Sequence, residues 1–177
     1  MNIQLKSIDS SDYDSIFISM SDSESLDLMG TRHTFTKEQI KDAYERFVQD
    51  STRYDFAIYH QGQKETIGDA AIIDIDEHHS VCGFRIALHQ RKDWNKGYES
   101  EAVRLLQAYV FETLQLNPLE LEVLSHNVRA IRAYEKNGFV REGARRQAVH
   151  VNGIRRDEVL MSMLKEEYEL RKQGELA

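Results

Sequence analysis

The sequence predicts an α/β protein built on one mixed sheet with helices on both faces, and three observations carry that reading. Three strand-like runs, Tyr54–His60, Thr66–Ile75 and Val81–Leu88, follow one another across short polar turns, the pattern of an antiparallel meander. A long helical pattern then separates the third run from another, Leu119–Leu124, and a strand, crossover helix and strand of this kind pair parallel. Near the end, Asn152-Gly153 stands between two further strand-like runs and marks a hairpin. The 177 residues show no repeat, no low-complexity stretch and no linker, so one domain spanning 1–177 is expected.

The elements follow in order. A first strand covers about 2–8, with Ile3 and Leu5 on one face. The cap formers Asp9-Ser10-Ser11-Asp12 announce a helix to about residue 21, and the polar stretch 22–34, containing Gly30, reads as loop. Thr36 and Gln39 fit a capping box, and Ile40, Ala43, Tyr44, Phe47 and Val48 recur at helical spacing behind it. The meander comes next. A helix over about 98–115 gathers Ala102, Val103, Leu106, Tyr109, Val110 and Leu114 on one face, and Asn117-Pro118 stops it. After the strand Leu119–Leu124, a helix runs from Asn127 to Lys136 and ends on Asn137-Gly138, a left-handed cap in sequence form. Strands at about 139–149 and 155–164 complete the order β-α-α-β-β-β-α-β-α-β-β.

Charge and composition exclude several classes. A net charge of −7 argues against general nucleic-acid affinity, which needs a basic face. The charge is uneven. Residues 1–30 hold Asp9, Asp12, Asp14, Asp22, Glu24 and Asp27 against Lys6, whereas 141–156 hold five arginines against Glu142. Each cluster reads as a solvated face, and the acidic one also as a rim that attracts a cationic substrate. The lone Cys82 rules out an internal disulfide, no run of about 20 apolar residues spans a membrane, and no signal peptide follows Met1. A cytoplasmic protein without membrane contact is expected.

Two motifs carry chemistry. In Trp94-Asn95-Lys96-Gly97-Tyr98-Glu99-Ser100-Glu101-Ala102 a turn-forming run passes directly into a helix. Backbone N–H groups at such a helix start converge, unpaired, and with the helix dipole they form an anion site suited to a pyrophosphate. Neither G-x-G-x-x-G nor a P-loop G-K-[ST] is present, so a nucleotide-binding enzyme has no fingerprint behind it. In the second motif, Asn127, Ala130, Ile131 and Tyr134 share one helix face, so an amide and a phenol stand in line, separated by small or apolar residues. They read either as a cap with a half-buried tyrosine, or as an amide that orients a ligand and a phenol that gives up a proton.

W-N-K-G-Y-E-S-E-A, followed at this distance by N-x-x-A-x-x-x-Y-E-K-N-G-F, resembles the GCN5-related N-acetyltransferase (GNAT) superfamily, and within it the RimJ/RimL branch and its polyamine-acetylating relatives. The likeness follows element order over nearly the whole chain and is most specific over 81–164, including Asn152-Gly153 and Asp157. It implies the GNAT acyltransferase fold, acetyl-CoA as donor and direct attack of a primary amine on the thioester. By the same resemblance the backbone of Arg85, Ile86, Ala87 and Leu88 pairs with the pantetheine arm. The loop from Trp94 through Asn95, Lys96, Gly97, Tyr98, Glu99 and Ser100 holds the pyrophosphate, Asn127 contacts the cofactor, and Tyr134 protonates the departing thiolate. Glu99 stands where a small residue is usual; a carboxylate there suits the helix dipole and repels pyrophosphate unless it turns away. Asn95 replaces a common glycine, a mild change because Asn tolerates left-handed backbone.

The general base has several candidates. Glu120 and Glu122 alternate with Leu119, Leu121 and Val123 and emerge on one strand face, with Glu122 the first choice. His89 follows, its other reading being a solvated loop histidine. Asp74, Asp76, Glu77, His78 and His79 match no standard zinc spacing, so no metal is expected. Cys82 reads as a buried strand residue. The acceptor implied is a protein N-terminal α-amine or a polyamine, and a homodimer is common in the resembling family. The rival reading is a non-catalytic acyl-CoA-binding or regulatory module that keeps the fold.

Overall fold

The computed structural model describes residues 2–30 and 34–174. Seven strands form one sheet in the order β1-β2-β3-β4-β5-β7-β6, with β1 Ile3–Ser7, β2 Tyr54–His60, β3 Glu65–Asp76, β4 Val81–Leu88, β5 Leu119–Leu124, β6 Val140–Val151 and β7 Ile154–Met163. The meander β1 to β4 is antiparallel, as the short turns between its last three strands require, and β4 pairs parallel with β5 across the expected crossover. The terminal hairpin turns back so that β7, not β6, lies beside β5. Its turn residues Asn152 and Gly153 both take positive φ, 48° and 79°, as a type I′ hairpin turn demands.

The helices are α1 Tyr13–Ser19, α2 Ser23–Met29, α3 Lys37–Phe47, α4 Tyr98–Ala108, α5 Val128–Lys136 and α6 Lys165–Lys172. The predicted capping box on α3 is formed: Gln39 N–H donates to Thr36 Oγ1 at 3.2 Å and Thr36 N–H to Gln39 Oε1 at 2.9 Å. Helices α4 and α5 cover one face of the sheet, where Val103, Leu106, Ile131, Phe84 and Leu119 are buried together in the main core. On the other face α1 and α3 bury Ile16, Ile40 and Tyr44 in a smaller cluster. Burying each such large apolar side chain contributes roughly 1.5–3 kcal/mol.

Three expectations are corrected. The stretch 22–34 is not all loop. Asp22 accepts from Ser25 N–H and caps α2, and Gly30 closes it at φ 69°; residues 31–33 of the stretch lie outside the described residues. The helix expected over 98–115 is regular only to Ala108 and continues over Tyr109–Leu114 as a wider π-type turn, which keeps Val110 and Phe111 buried. Finally, α6 follows the last strand, with Glu166 and Glu167 at its start and Arg171 and Lys172 at its end, the arrangement that complements a helix dipole.

Candidate active site

β4 and β5 touch only at their beginnings, where Cys82 pairs with Leu119 and Gly83 with Glu120. Beyond Gly83 they splay. β3 holds one edge of β4 as far as Leu88, and β7 holds the far edge of β5 as far as Leu124, so the facing edges of Phe84–Leu88 and Leu121–Leu124 have no strand partner. This wedge opens into a cavity of about 370 Å³ lined by Asp69, Phe84, Arg85, Ile86, Ala87, Glu122, Asn127, Tyr134 and Glu158, with Met20, Leu28 and Met29 closing it from α1 and α2. Extended backbone with free N–H and C=O groups can receive an amide-bearing chain as an added strand.

Cys82 lies at the apex of the wedge and is 1% exposed. Burial, and then the charge of Glu120, pushes its thiol up to about 12, so the thiolate that reacts with electrophiles is scarce. Iodoacetamide at pH 8 is expected to leave the native protein unlabelled and to add one label to the unfolded chain. Intact mass reads the result, and rapid native labelling would contradict this burial.

The loop after β4 makes a short 3₁₀ turn, Arg91–Asp93, before α4. Asn95 at φ 60° and Gly97 at φ 83° turn the chain into the helix, and no side chain caps its first amides. Those donors face a cleft lined by Asn95, Gly97, Tyr98, Glu99, Ser100, Arg129, Arg132 and Lys136. Free amides at a helix start and three cations make an anion site. Lys96 lies 3.7 Å from the buried Asp93, and Trp94 carries the Arg129 guanidinium over its ring at 4.3 Å. The Glu99 carboxylate lies 3.3 Å from Arg129 Nη1 and is mostly buried. Burial raises its pKa above the usual carboxylate range, and the charge of Arg129 opposes the shift.

Asn127 caps α5, its Oδ1 accepting from Ala130 N–H at 3.2 Å, while its side chain also lines the wedge. The cap reading of this residue is thus observed, and its place on the wedge leaves the ligand-orienting reading open to test. Tyr134 is buried at the back of the cavity, held edge-on against Phe84 (5.7 Å) and Phe139 (6.0 Å). Burial, and then the nearby charge of Glu99, lifts its phenol well above the ordinary range.

Glu120 and Glu122 do emerge on one face of β5, and Glu122 reaches the cavity. Arg145 donates to Glu122 and also bridges Glu158 at 3.0 Å. His89 is not a solvated loop residue. Its side chain is fully buried, between Asp69 (Nε2 to Oδ1, 2.8 Å) and Ser15 (Nδ1 to Oγ, 2.6 Å). Asp69 was legible only as the single charge in the apolar run Ile67–Ile73. Elsewhere, Asp76 accepts from the backbone of His78 and His79 and from the His79 ring, closing its own turn, and no group of three metal-ligating side chains occurs among the described residues. The acids of residues 1–30 serve largely as caps and ion pairs: Asp14 meets Lys37, Asp22 and Glu24 meet Arg91, and Asp27 meets His126. No helix among the described residues is long and apolar enough to cross a membrane.

Residues 2–140 match the acetyltransferase (GNAT) domain. The chain is 30% identical over 128 residues to the probable N-acetyltransferase YjcK of Bacillus subtilis, spanning 72% of this chain and 70% of that protein. It is 27% identical over 131 residues to the spermidine N(1)-acetyltransferase of Vibrio cholerae, spanning 74% and 75%. The crystal structure of spermidine N-acetyltransferase from Vibrio cholerae, in complex with CoA and spermine, matches the fold with a TM-score of 0.89 over 95% of this chain and 98% of that one, at 23% identity. The domain match and the relative at 30% identity define the class, and the chain belongs to the GNAT acetyltransferase family. It is an N-acetyltransferase, with acetyl-CoA as cosubstrate.

Proposed function

We propose that the chain acetylates a polyamine, and the observation that carries this reading is the acidic trough beside the wedge. The cavity shares Phe84, Arg85, Leu121, Glu122 and Glu158 with a second cleft that adds Asp74, Asp76, Glu120 and Glu142, against only Arg85 and Arg145. Such a surface attracts a long cation with more than one ammonium group. The similar spermidine acetyltransferases support the same acceptor class.

The residues present fit acetyl-CoA. In this reading the free β4 edge, through the backbone of Arg85, Ile86, Ala87 and Leu88, receives the pantetheine arm. The amides from Asn95 to Ser100, Lys96 included, take the pyrophosphate, with the side chains of Arg129, Arg132 and Lys136 around it. When bound, acetyl-CoA supplies an activated acetyl carbonyl and a thiolate leaving group. Asn127 contacts it at the mouth of the wedge, and Tyr134 holds the proton that neutralises the leaving sulfur. Fixing amine and carbonyl side by side supplies up to roughly 7–11 kcal/mol of the acceleration.

A protein N-terminal α-amine is the second acceptor reading, favoured by the likeness of Trp94–Ala102 to the RimJ/RimL branch. Mass spectrometry after incubation with acetyl-CoA and a panel of spermidine, spermine and short peptides decides between them. Acetylated spermidine or spermine is the expected product; acetylated peptide N-termini alone would overturn the polyamine reading. Acetyl-CoA binding with no release of CoA thiol in the presence of any of these amines would leave a non-catalytic acyl-CoA-binding module.

A further inference from the structure

We propose that Asp69, His89 and Ser15 form a proton relay that deprotonates the acceptor ammonium, with Asp69 as the general base; the inference rests on the amine-acetylating reading above.

Asp69 lies on β3 directly opposite Ala87 of β4 and lines the cavity between the strands and α1–α2. Gly68 makes this approach possible, since a Cβ there would stand 2.4 Å from the Ala87 carbonyl oxygen. His89 follows β4 and is locked by its own N–H, which donates to the Ile67 carbonyl at 2.8 Å. Its imidazole Nε2 meets Asp69 and its Nδ1 meets Ser15, whose Oγ also lies 3.2 Å from the Thr66 carbonyl. The three groups therefore lead from the cavity, through a fully buried ring, to the half-buried Ser15 on α1.

The orientation decides what the set can do. In a serine nucleophile triad the hydroxyl faces the substrate and the carboxylate is hidden. Here the carboxylate lines the cavity, and Ser15 lies at the other end. The hydroxyl has two hydrogen-bond partners, and they match two protonation states. At rest Ser15 donates to Nδ1 and Nε2–H donates to the Asp69 carboxylate. With one proton added, the ring donates from both nitrogens, and Ser15 accepts from Nδ1–H while turning its own hydrogen to Thr66 O. The ring and the hydroxyl keep hydrogen-bond partners in both states, as buried polar groups need. Glu122 lacks this arrangement, because Arg145 holds it as a charge pair. The other charged or titratable groups nearby are Arg85 on β4, Tyr44 on α3 and Asp12 before α1; Asp12 is bound to Thr66 Oγ1 at 2.5 Å.

The protons balance. The ammonium gives one proton to Asp69, which shares it with the His89 ring while Ser15 accepts from Nδ1–H; once the product has left, the pair returns it to solvent through the cavity that Asp69 lines. The neutral nitrogen forms the C–N bond as the C–S bond breaks. The second proton lost by nitrogen matches the one Tyr134 gives to sulfur. Asp69 is thus the catalytic base, and His89 and Ser15 are positioning residues.

The test uses the full chain with spermidine. Asp69→Asn keeps an acceptor for His89 Nε2–H and should lower kcat/KM at pH 7 by about 10²–10⁴-fold, the range of a lost general base, with acetyl-CoA affinity unchanged. The defect should shrink as pH rises, and shrink equally at pH 7 with an acceptor amine that is already neutral there; a purely structural role would show neither rescue. Ser15→Ala should give a smaller loss in the same pH range. Independently of turnover, the His89 Nε2–H proton should give a protected low-field NMR signal that Asp69→Ala abolishes. Wild-type rate and pH profile in Asp69→Asn, or absence of that signal in the wild type, would overturn the relay. A wild type that shows the signal and acetylates no amine would instead overturn the acetylation reading, and the relay's role with it.

Discussion

Tyr134→Phe is expected to lower turnover at least ~100-fold and to leave acetyl-CoA affinity almost unchanged, the scale of a lost general acid. The substitution deletes one oxygen from a ring packed between Phe84 and Phe139, so the wall of the cavity keeps its shape. Burial holds the phenol above its ordinary range, and the Glu99 charge acts in the same direction. The phenol therefore stays protonated across the neutral pH range, as a donor to a departing thiolate would need to be. Two consequences separate this role from packing. The loss should be constant from about pH 6 to 9, because the phenol does not ionise in that range, and calorimetric acetyl-CoA binding should not change. An unchanged kcat in a thiol-release assay would remove Tyr134 from the mechanism.

The parts of the site that were legible in the sequence are those set by local backbone demands. Asn95 and Gly97 take the left-handed conformations their residue types suggest, Asn127 caps α5, and Gly138 ends it at φ 92°. Each depends on a few neighbouring residues, so a short window carries the signal. The parts not legible depend on register. His89 and Asp69 are 20 residues apart and meet only because β3 and β4 pair with Asp69 opposite Ala87. No local pattern distinguishes a histidine that will be enclosed there from one in solvent. Helix α2 is hidden in the sequence for another reason: it is two turns long, and its apolar residues Leu26, Leu28 and Met29 are too few to show a period. Its ends, Asp22 and Gly30, were nevertheless ordinary start and stop residues.

Glu99 and Arg129 should answer unequally to substitution. The pair sits where the pyrophosphate is proposed to bind, with the carboxylate mostly buried and the guanidinium stacked on Trp94. Removing the acid in Glu99→Ala deletes a negative charge near the phosphates and frees Arg129 to face them, so acetyl-CoA affinity should stay equal or rise. Removing the base in Arg129→Ala leaves a buried carboxylate uncompensated beside two phosphate charges. Like charges near a protein surface repel by up to about 4 kcal/mol at 4 Å, so a loss of at least ~10-fold in affinity is expected. The pH dependence fixes the sign. Burial raises the Glu99 pKa, so its neutral form becomes populated at a higher pH than for an exposed glutamate. As pH falls the carboxylate gains a proton sooner than an exposed glutamate would and its repulsion weakens, so the Arg129→Ala defect should narrow with falling pH. The double variant should bind better than Arg129→Ala alone and show no such pH dependence. If Glu99→Ala instead loses as much affinity as Arg129→Ala, the carboxylate's main effect is to aim the arginine at the phosphates, and its charge is tolerated for that purpose.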